Sequence, residues 1–350
     1  MKFRTWAFYA GFLGLFITFS SNSVSAQNAA AASKYLETIG NEFQGITSDM
    51  WDYSSAVAHG KSARKVEKRR KEVLQSNKDA QAKISKMSPF EGDASFRDSV
   101  LAFLRLSYNV INYDYAKIVD MEAISEQSYD AMEAYLLAQE MASKKLNASS
   151  DMLNAQQLLF ASKHSITISD SKSKISKNLE VAGRVFKYYN GIYLIFFKSY
   201  KQEAYMLDAL NKNDINALKQ NADALSKCSQ EGIKRIDTCK AFNGDASLKT
   251  SCKDMLNFYK MESTQKATIL INFSVKRENF QKLKAAYEAK AESKRTKADA
   301  DALNKAVAEF NKASNEYNQI NSDLNTKRAE LLDKWNDSVT KFTDKQVPKK

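Results

Sequence analysis

The chain has 350 residues, with 53 Lys and Arg against 41 Asp and Glu and a formal net charge of +12. Two Pro and ten Gly in that length, with Ala, Lys, Leu, Ser, Asn and Glu dominant, exclude a turn-rich β architecture and point to an almost wholly helical, all-α chain. Two His and three Cys leave little material for metal or nucleophilic chemistry.

Residues 1–26 read as a secretory signal. Lys2 and Arg4 form the charged head, Trp6 to Phe19 the apolar run, and Val24-Ser25-Ala26 a small-residue site that predicts cleavage before Gln27. The apolar run is shorter than the roughly 20 residues a spanning helix needs, and no later segment qualifies, so no transmembrane span is expected after cleavage. Removing the 26 residues leaves 324 and lowers the charge from +12 to +10. That excess suits anionic partners such as acidic polysaccharide or lipid head groups, with nucleic acid disfavoured in an exported protein.

The mature chain repeats itself. Phe90-Glu91-Gly92-Asp93-Ala94-Ser95-Phe96 returns 152 positions later as Phe242-Asn243-Gly244-Asp245-Ala246-Ser247-Leu248. The same offset pairs Ala134-Tyr135 with Ala286-Tyr287, and an offset of 150 pairs Asp151, Leu153, Asn154 and Phe160 with Asp301, Leu303, Asn304 and Phe310. Two tandem antiparallel four-helix bundles follow, over 33–166 and 169–342, with a basic disordered tail at 343–350. Each repeated motif reads as a helix–turn–helix junction. Gly92 and Gly244 supply backbone freedom, while Asp93 with Ser95, and Asp245 with Ser247, can cap the helix that follows.

Further breaks are expected at Ala58–Lys61, Glu122–Ser125, Asn147–Asp151, Asn211–Asp214 and Phe273–Val275, with a hinge or frayed junction at Ser165–Ser173 ahead of a long helix to Leu210. Leu218, Ala222, Leu225, Ser229, Gly232, Ile236 and Cys239 alternate spacings of four and three, which places them on one helical stripe.

Phe242-Asn243-Gly244-Asp245, then Leu248-Lys249, Leu256-Asn257-Phe258-Tyr259-Lys260 and Tyr189-Asn190, resemble a family of exported, all-helical bacterial surface proteins of the spirochaete and Bacteroidetes type. The resemblance covers 189–275, and the first copy only through Phe90 to Phe96. It implies an exported helical domain and brings no catalytic residues with it.

Cys239 ends one helix and Cys252 opens the next, so a disulfide between them would close a loop of about 14 residues and contribute around 3 kcal/mol in the chain-entropy account; the alternative is three buried thiols acting as small hydrophobes. His59 and His164 follow Ala56 and Ala161 by three residues, which rules out the Glu-x-x-His pattern of di-iron bundles, and no catalytic or metal-binding set can be assembled. Lys61, Arg64, Lys65, Lys68, Arg69, Arg70 and Lys71 crowd one helix as a candidate polyanion patch, set against a solvated stripe offset by Glu67 and Glu72. Phe186, Tyr188, Tyr189, Tyr193, Phe196, Phe197 and Tyr200 form an aromatic cluster expected to be core.

The sequence therefore reads as an exported envelope or surface protein, a non-enzymatic interaction or structural module without cofactor. Its partner would be an envelope or extracellular protein, or an anionic polysaccharide or lipid. The alternative is a periplasmic bundle that senses or carries a small ligand in an aromatic-lined interior.

Overall fold

The computed structural model describes residues 16–17, 25–115, 124–169 and 173–349. The segment read as a secretory signal lies, apart from 16–17 and 25–26, outside them. The described chain is all-α, a helical bundle. A two-residue antiparallel ladder pairing Phe16 with Ser169 and Ile17 with Ile168 is its only strand pair among the described residues. No helix among the described residues is long and apolar enough to cross a membrane.

The chain forms two compact units, the first reaching Asn190 and taking in 343–349, the second running over Gly191–Phe342. In the first, helix α1 (Ser25–Ala58) packs on α2 (Ala63–Ile84). Ala32, Leu36, Ile39, Phe43, Ile46 and Met50, alternately four and three apart, form a continuous buried stripe of α1. Gly60, at φ +60°, ends that helix: its N–H donates to Val57 O and that of Lys61 to Ala56 O, a left-handed cap that L-residues disfavour and glycine adopts freely. Helix α3 (Ser95–Asn109) runs into a π turn (Val110–Asp114), and α4 (Tyr129–Lys163) starts at the Ser128 side chain, which accepts from Ala131 N at 3.1 Å.

Helix α5 (Lys174–Lys212) belongs to the first unit up to Asn190 and to the second beyond it. The second unit continues with α6 (Ile215–Thr238), α7 (Ser247–Met261), a π turn (Glu262–Lys266), α8 (Ala267–Glu288) and α9 (Lys297–Gln346), whose end reaches into the first unit. The expected stripe of α6 is buried from Leu218 to Ile236, with Cys228 added; Cys239, outside the helix as its C-cap, is half-exposed.

The two motif turns have one geometry. Phe90 bridges Asp93 and Phe242 bridges Asp245, with φ of 50° and 83° at Glu91-Gly92 and of 49° and 79° at Asn243-Gly244. Asp93 Oδ1 accepts from Ser95 N, and Asp245 Oδ1 from Ser247 N, both at 2.9 Å. The offset of 152 also relates the starts of α2 and α6 (63 and 215), of α3 and α7 (95 and 247), and of the two π turns (110 and 262).

Three expectations are corrected. The break at Asn147–Asp151 does not occur, because Leu146, Ser149, Ser150 and Leu153 all face the core and hold α4 in one piece. The break at Phe273–Val275 is also absent: Phe273 stacks on Tyr317 at 4.2 Å and 10° and on Phe310 at 6.0 Å, which anchors the middle of α8 to α9, and the chain turns instead at 289–296. The tail at 343–350 is ordered to Lys349. Thr343 and Val347 are buried, and His59 Nδ1 meets Asp344 Oδ1 at 2.8 Å. Buried apolar surface and a hydrogen bond to the first unit outweigh the basic composition that suggested disorder. The junction at 164–173 does interrupt the helix, and Ser165 (φ 54°) supplies the left-handed cap; residues 170–172 lie outside the described part, as do 116–123, which hold half of the break expected at Glu122–Ser125.

Candidate functional site

The most unusual chemistry is a buried charge cluster in the second unit, where α5, α7 and α9 meet. Glu203 on α5 is 3% exposed and Glu262, first residue of the π turn after α7, is fully buried. Arg328 on α9 joins them: Nε donates to Glu203 Oε1 and Nη2 to Glu262 Oε1, each at 2.6 Å. Its Nη1 donates to Asn325 Oδ1, and its guanidinium lies 5.6 Å from the Phe258 ring centre. The planar fork of arginine suits such divergent carboxylates better than an ammonium would.

One cation cannot neutralise two carboxylates out of water. Burial raises Glu203 well above the ordinary carboxyl range; the field of Glu262 and a hydrogen bond shared with it push the same way, against Arg328. Burial and the neighbouring carboxyl thus favour the protonated form of Glu203, against the pull of Arg328. Burial alone would lower Arg328, but the two glutamates outweigh it and raise it. Tyr259, fully buried next to them, is raised well above its usual value by burial and by both glutamates, and its hydroxyl has no hydrogen-bond partner.

The cluster has no counterpart in the first unit. The positions 152 residues earlier than Glu203 and Glu262 are Trp51 and Val110, both buried and apolar. The same turn of backbone thus carries charge in one unit and hydrocarbon in the other. Periodicity did not expose this cluster, since each glutamate resembles a surface residue by itself; comparison across the offset of 152 was the available signal. Chemically, the arrangement ties α5, the π turn after α7 and α9 together through one arginine shared by two buried carboxyls.

Both histidines lie in the first unit. His164 caps α4 and is buried against Phe90 and Phe160, with ring centres 4.8 and 4.6 Å away; Nδ1 stands 3.6 Å from Glu91 Oε2 and Nε2 has no partner. Phe90 of the motif turn is thus wedged among His164, Phe160 and Tyr35. His59 sits in the α1–α2 turn and binds the C-terminal segment through Asp344. A cavity of about 10 Å³, room for one water, lies in the first unit, lined by Ile39, Phe43, Phe96, Phe103, Leu153 and others.

The three cysteines are free thiols, so Cys239 and Cys252 are not bridged in this structure. Cys252 is fully buried and burial pushes its thiol far up, while Cys239 Sγ donates to Arg235 O at 3.4 Å at the half-exposed end of α6.

The basic helix α2 divides into two parts. Arg69 pairs with Glu72 at 2.7 Å and Asp52 at 3.3 Å, and Arg70 with Glu67 at 2.8 Å, donating also to Ile111 O. Lys68 and Lys71 reach Glu72 and Glu67 at 3.8 Å. Lys61, Arg64 and Lys65, in and just before the first turn, are exposed. Of the aromatic cluster, Phe186, Tyr189, Tyr193, Phe196 and Phe197 are buried, and Phe196 stacks on Trp335 at 4.7 Å.

Fold and site together define an all-α helical-bundle protein with a buried acid–arginine cluster. No family model, no curated protein and no solved structure matches the chain.

Proposed function

We propose that this is an exported, non-enzymatic module of the cell envelope or cell surface, built from tandem copies of one helical bundle and acting by contact with an anionic partner. The observation that carries this reading is the contrast along α2, where acidic neighbours neutralise the middle of the basic run and the cations at its head project into solvent. Positive side chains at a helix N-terminus oppose the helix dipole, so their concentration there costs local stability and suits recognition of acidic polysaccharide or lipid phosphate. The strongly perturbed groups Glu203 and Tyr259 are sealed between helices, which favours a structural role over turnover. The signal at 1–26 and the resemblance to exported surface proteins support the location. A carrier of small ligands draws less support, because a cavity of about 10 Å³ in the first unit is too small for an organic ligand.

The test is flotation with phosphatidylglycerol vesicles and retention on an acidic polysaccharide column, for the native protein and for Lys61→Glu with Arg64→Glu and Lys65→Glu. Salt-sensitive binding by the native protein, lost in the triple variant, is the expected result; equal behaviour of the two overturns the anionic-partner reading. Sequencing the N-terminus of the exported protein should return Gln27.

A further inference from the structure

We propose that the hairpin arm made by the end of α8 and the start of α9, residues 275–305, is a limb by which the second unit holds an acidic polysaccharide; this rests on the anionic-partner reading above and names the partner's chemistry. The arm has no counterpart in the first unit. Phe160 returns to the first motif turn and meets Phe90 edge to face at 5.4 Å and 71°, as Phe342 meets Phe242 at 5.7 Å and 76°. The first return takes 70 positions and the second 100, so the second unit is longer by 30 residues between equivalent contacts. The excess lies at the far end of the hairpin, since the chain turns 12 residues after the π turn in the first unit and 23 after it in the second.

The added length builds no core. None of residues 275–305 is buried, whereas α6 buries seven side chains over 24 residues. Stacked rings stiffen the arm from within: Phe280 lies on Phe310 at 5.1 Å and 5°, one step beyond the Phe273–Tyr317 stack. At the tip, the Arg295 guanidinium lies 4.8 Å from the Tyr287 ring centre, and its Nε donates to Tyr287 O and Lys290 O. The outer surface of the arm is left open to a partner.

Charge selects the occupant. Residues 275–305 carry nine Lys and Arg against five Asp and Glu, so +4 of the chain's +12 sits on 31 of its 350 residues. Ion pairs occupy Lys276, Lys282, Lys284 and Lys290; Lys294, Lys297 and Lys305 are exposed and form none among the described residues. Those three and Arg295 outnumber the two carboxylates outside the ion pairs, Glu292 and Asp301. A bilayer is a poor fit, because anionic membranes are held by cations together with apolar side chains that enter the headgroup boundary. Among the large apolar residues of the arm only Val275, at its base, is exposed, at 41%. A hydrated polyanion needs no such anchor, since cations and the counterions they release carry its binding.

Binding of the full chain to immobilised heparin tests this, with three variants of equal charge change. The arm variant is Lys294→Glu with Lys297→Glu and Lys305→Glu. Lys219→Glu with Lys227→Glu and Lys234→Glu, at exposed lysines of α6, controls for net charge, and the α2 triple variant tests the parent reading. The arm variant should weaken heparin binding at least ~10-fold more than the α6 variant, with an unchanged circular dichroism spectrum, and Gln at the same three arm positions should give an intermediate loss. Equal losses in the arm and α6 variants would reduce the effect to net charge and overturn the proposal. Loss confined to the α2 variant overturns it as well while leaving the anionic-partner reading in place, and retention that no variant changes ends both. Flotation of the native chain, but not of the arm variant, with phosphatidylglycerol vesicles in the absence of heparin binding would make lipid the occupant and overturn it too.

Discussion

Arg328 holds the two buried glutamates of the second unit. Replacing it with Met strands two buried carboxyls without a cation and should cost about 3–5 kcal/mol, measured by urea unfolding. Replacing the cluster as a whole, with Glu203→Leu, Glu262→Val and Arg328→Met, should recover most of that loss, because the first unit accommodates Trp51 and Val110 at the corresponding places. Glu203 also sets a pH dependence. Its folded pKa lies well above the ordinary carboxyl value of about 4.5, so the unfolded chain gives up this proton first as pH rises, and the contribution of Glu203 to stability, intact below about pH 4.5, declines up to its folded pKa. The melting temperature of Glu203→Gln should therefore gain on that of the native protein as pH rises above about 4.5; a constant difference would mean that Glu203 is ionised in the fold. Asp344 works in the opposite sense, its pKa lowered by the His59 hydrogen bond, so its contribution is lost as pH falls. Among thiols, only Cys239 should react quickly with a disulfide reagent in the native state, and all three in denaturant. A single reactive thiol in denaturant would restore the Cys239–Cys252 bridge.

Among the elements, the motif turns were the most legible part of the sequence. A glycine followed by Asp-Ala-Ser has few uses other than a left-handed turn into a helix, and both copies have that turn; the N-cap positions are Ala94 and Ala246 without a side-chain cap, and the aspartates instead accept from the first helical N–H. Gly92→Ala and Gly244→Ala should each cost about 1–2 kcal/mol, because alanine at positive φ crowds its own carbonyl, and the two losses should be alike in thermal denaturation. Close packing was harder to read. A Cβ on Gly232 would lie 3.0 Å from Leu256 Cδ2 and 3.3 Å from Ile195 Cγ2, so glycine there brings α6 against α7 and α5. Gly232→Val should cost about 1–3 kcal/mol by overpacking. The false breaks at 147–151 and 273–275 have a common cause: local polarity or bulk suggests interruption, while core contacts on each side keep the backbone helical.

For the whole molecule, the C-terminal segment is where composition misled most. Lys345, Lys349 and Lys350 suggest a solvated tail, yet Val347 is buried and Asp344 binds His59 in the α1–α2 turn. Deleting residues 343–350 should speed hydrogen exchange around 53–60 in the first unit; unchanged exchange there would show that the contact carries no stability. Within the sequence, scarce proline and glycine, heptad-like spacing and the echo at 152 residues were enough for the helical class and the two motif turns, because these depend on local propensity and on a period that one strand of text displays. The cluster of Glu203, Glu262 and Arg328, the anchoring of the tail and the passage of α5 from one unit to the next were decided only by tertiary structure. Each depends on which distant residues share a dry environment, and a charge that looks solvated along the chain changes its chemistry once water is removed from both sides of it.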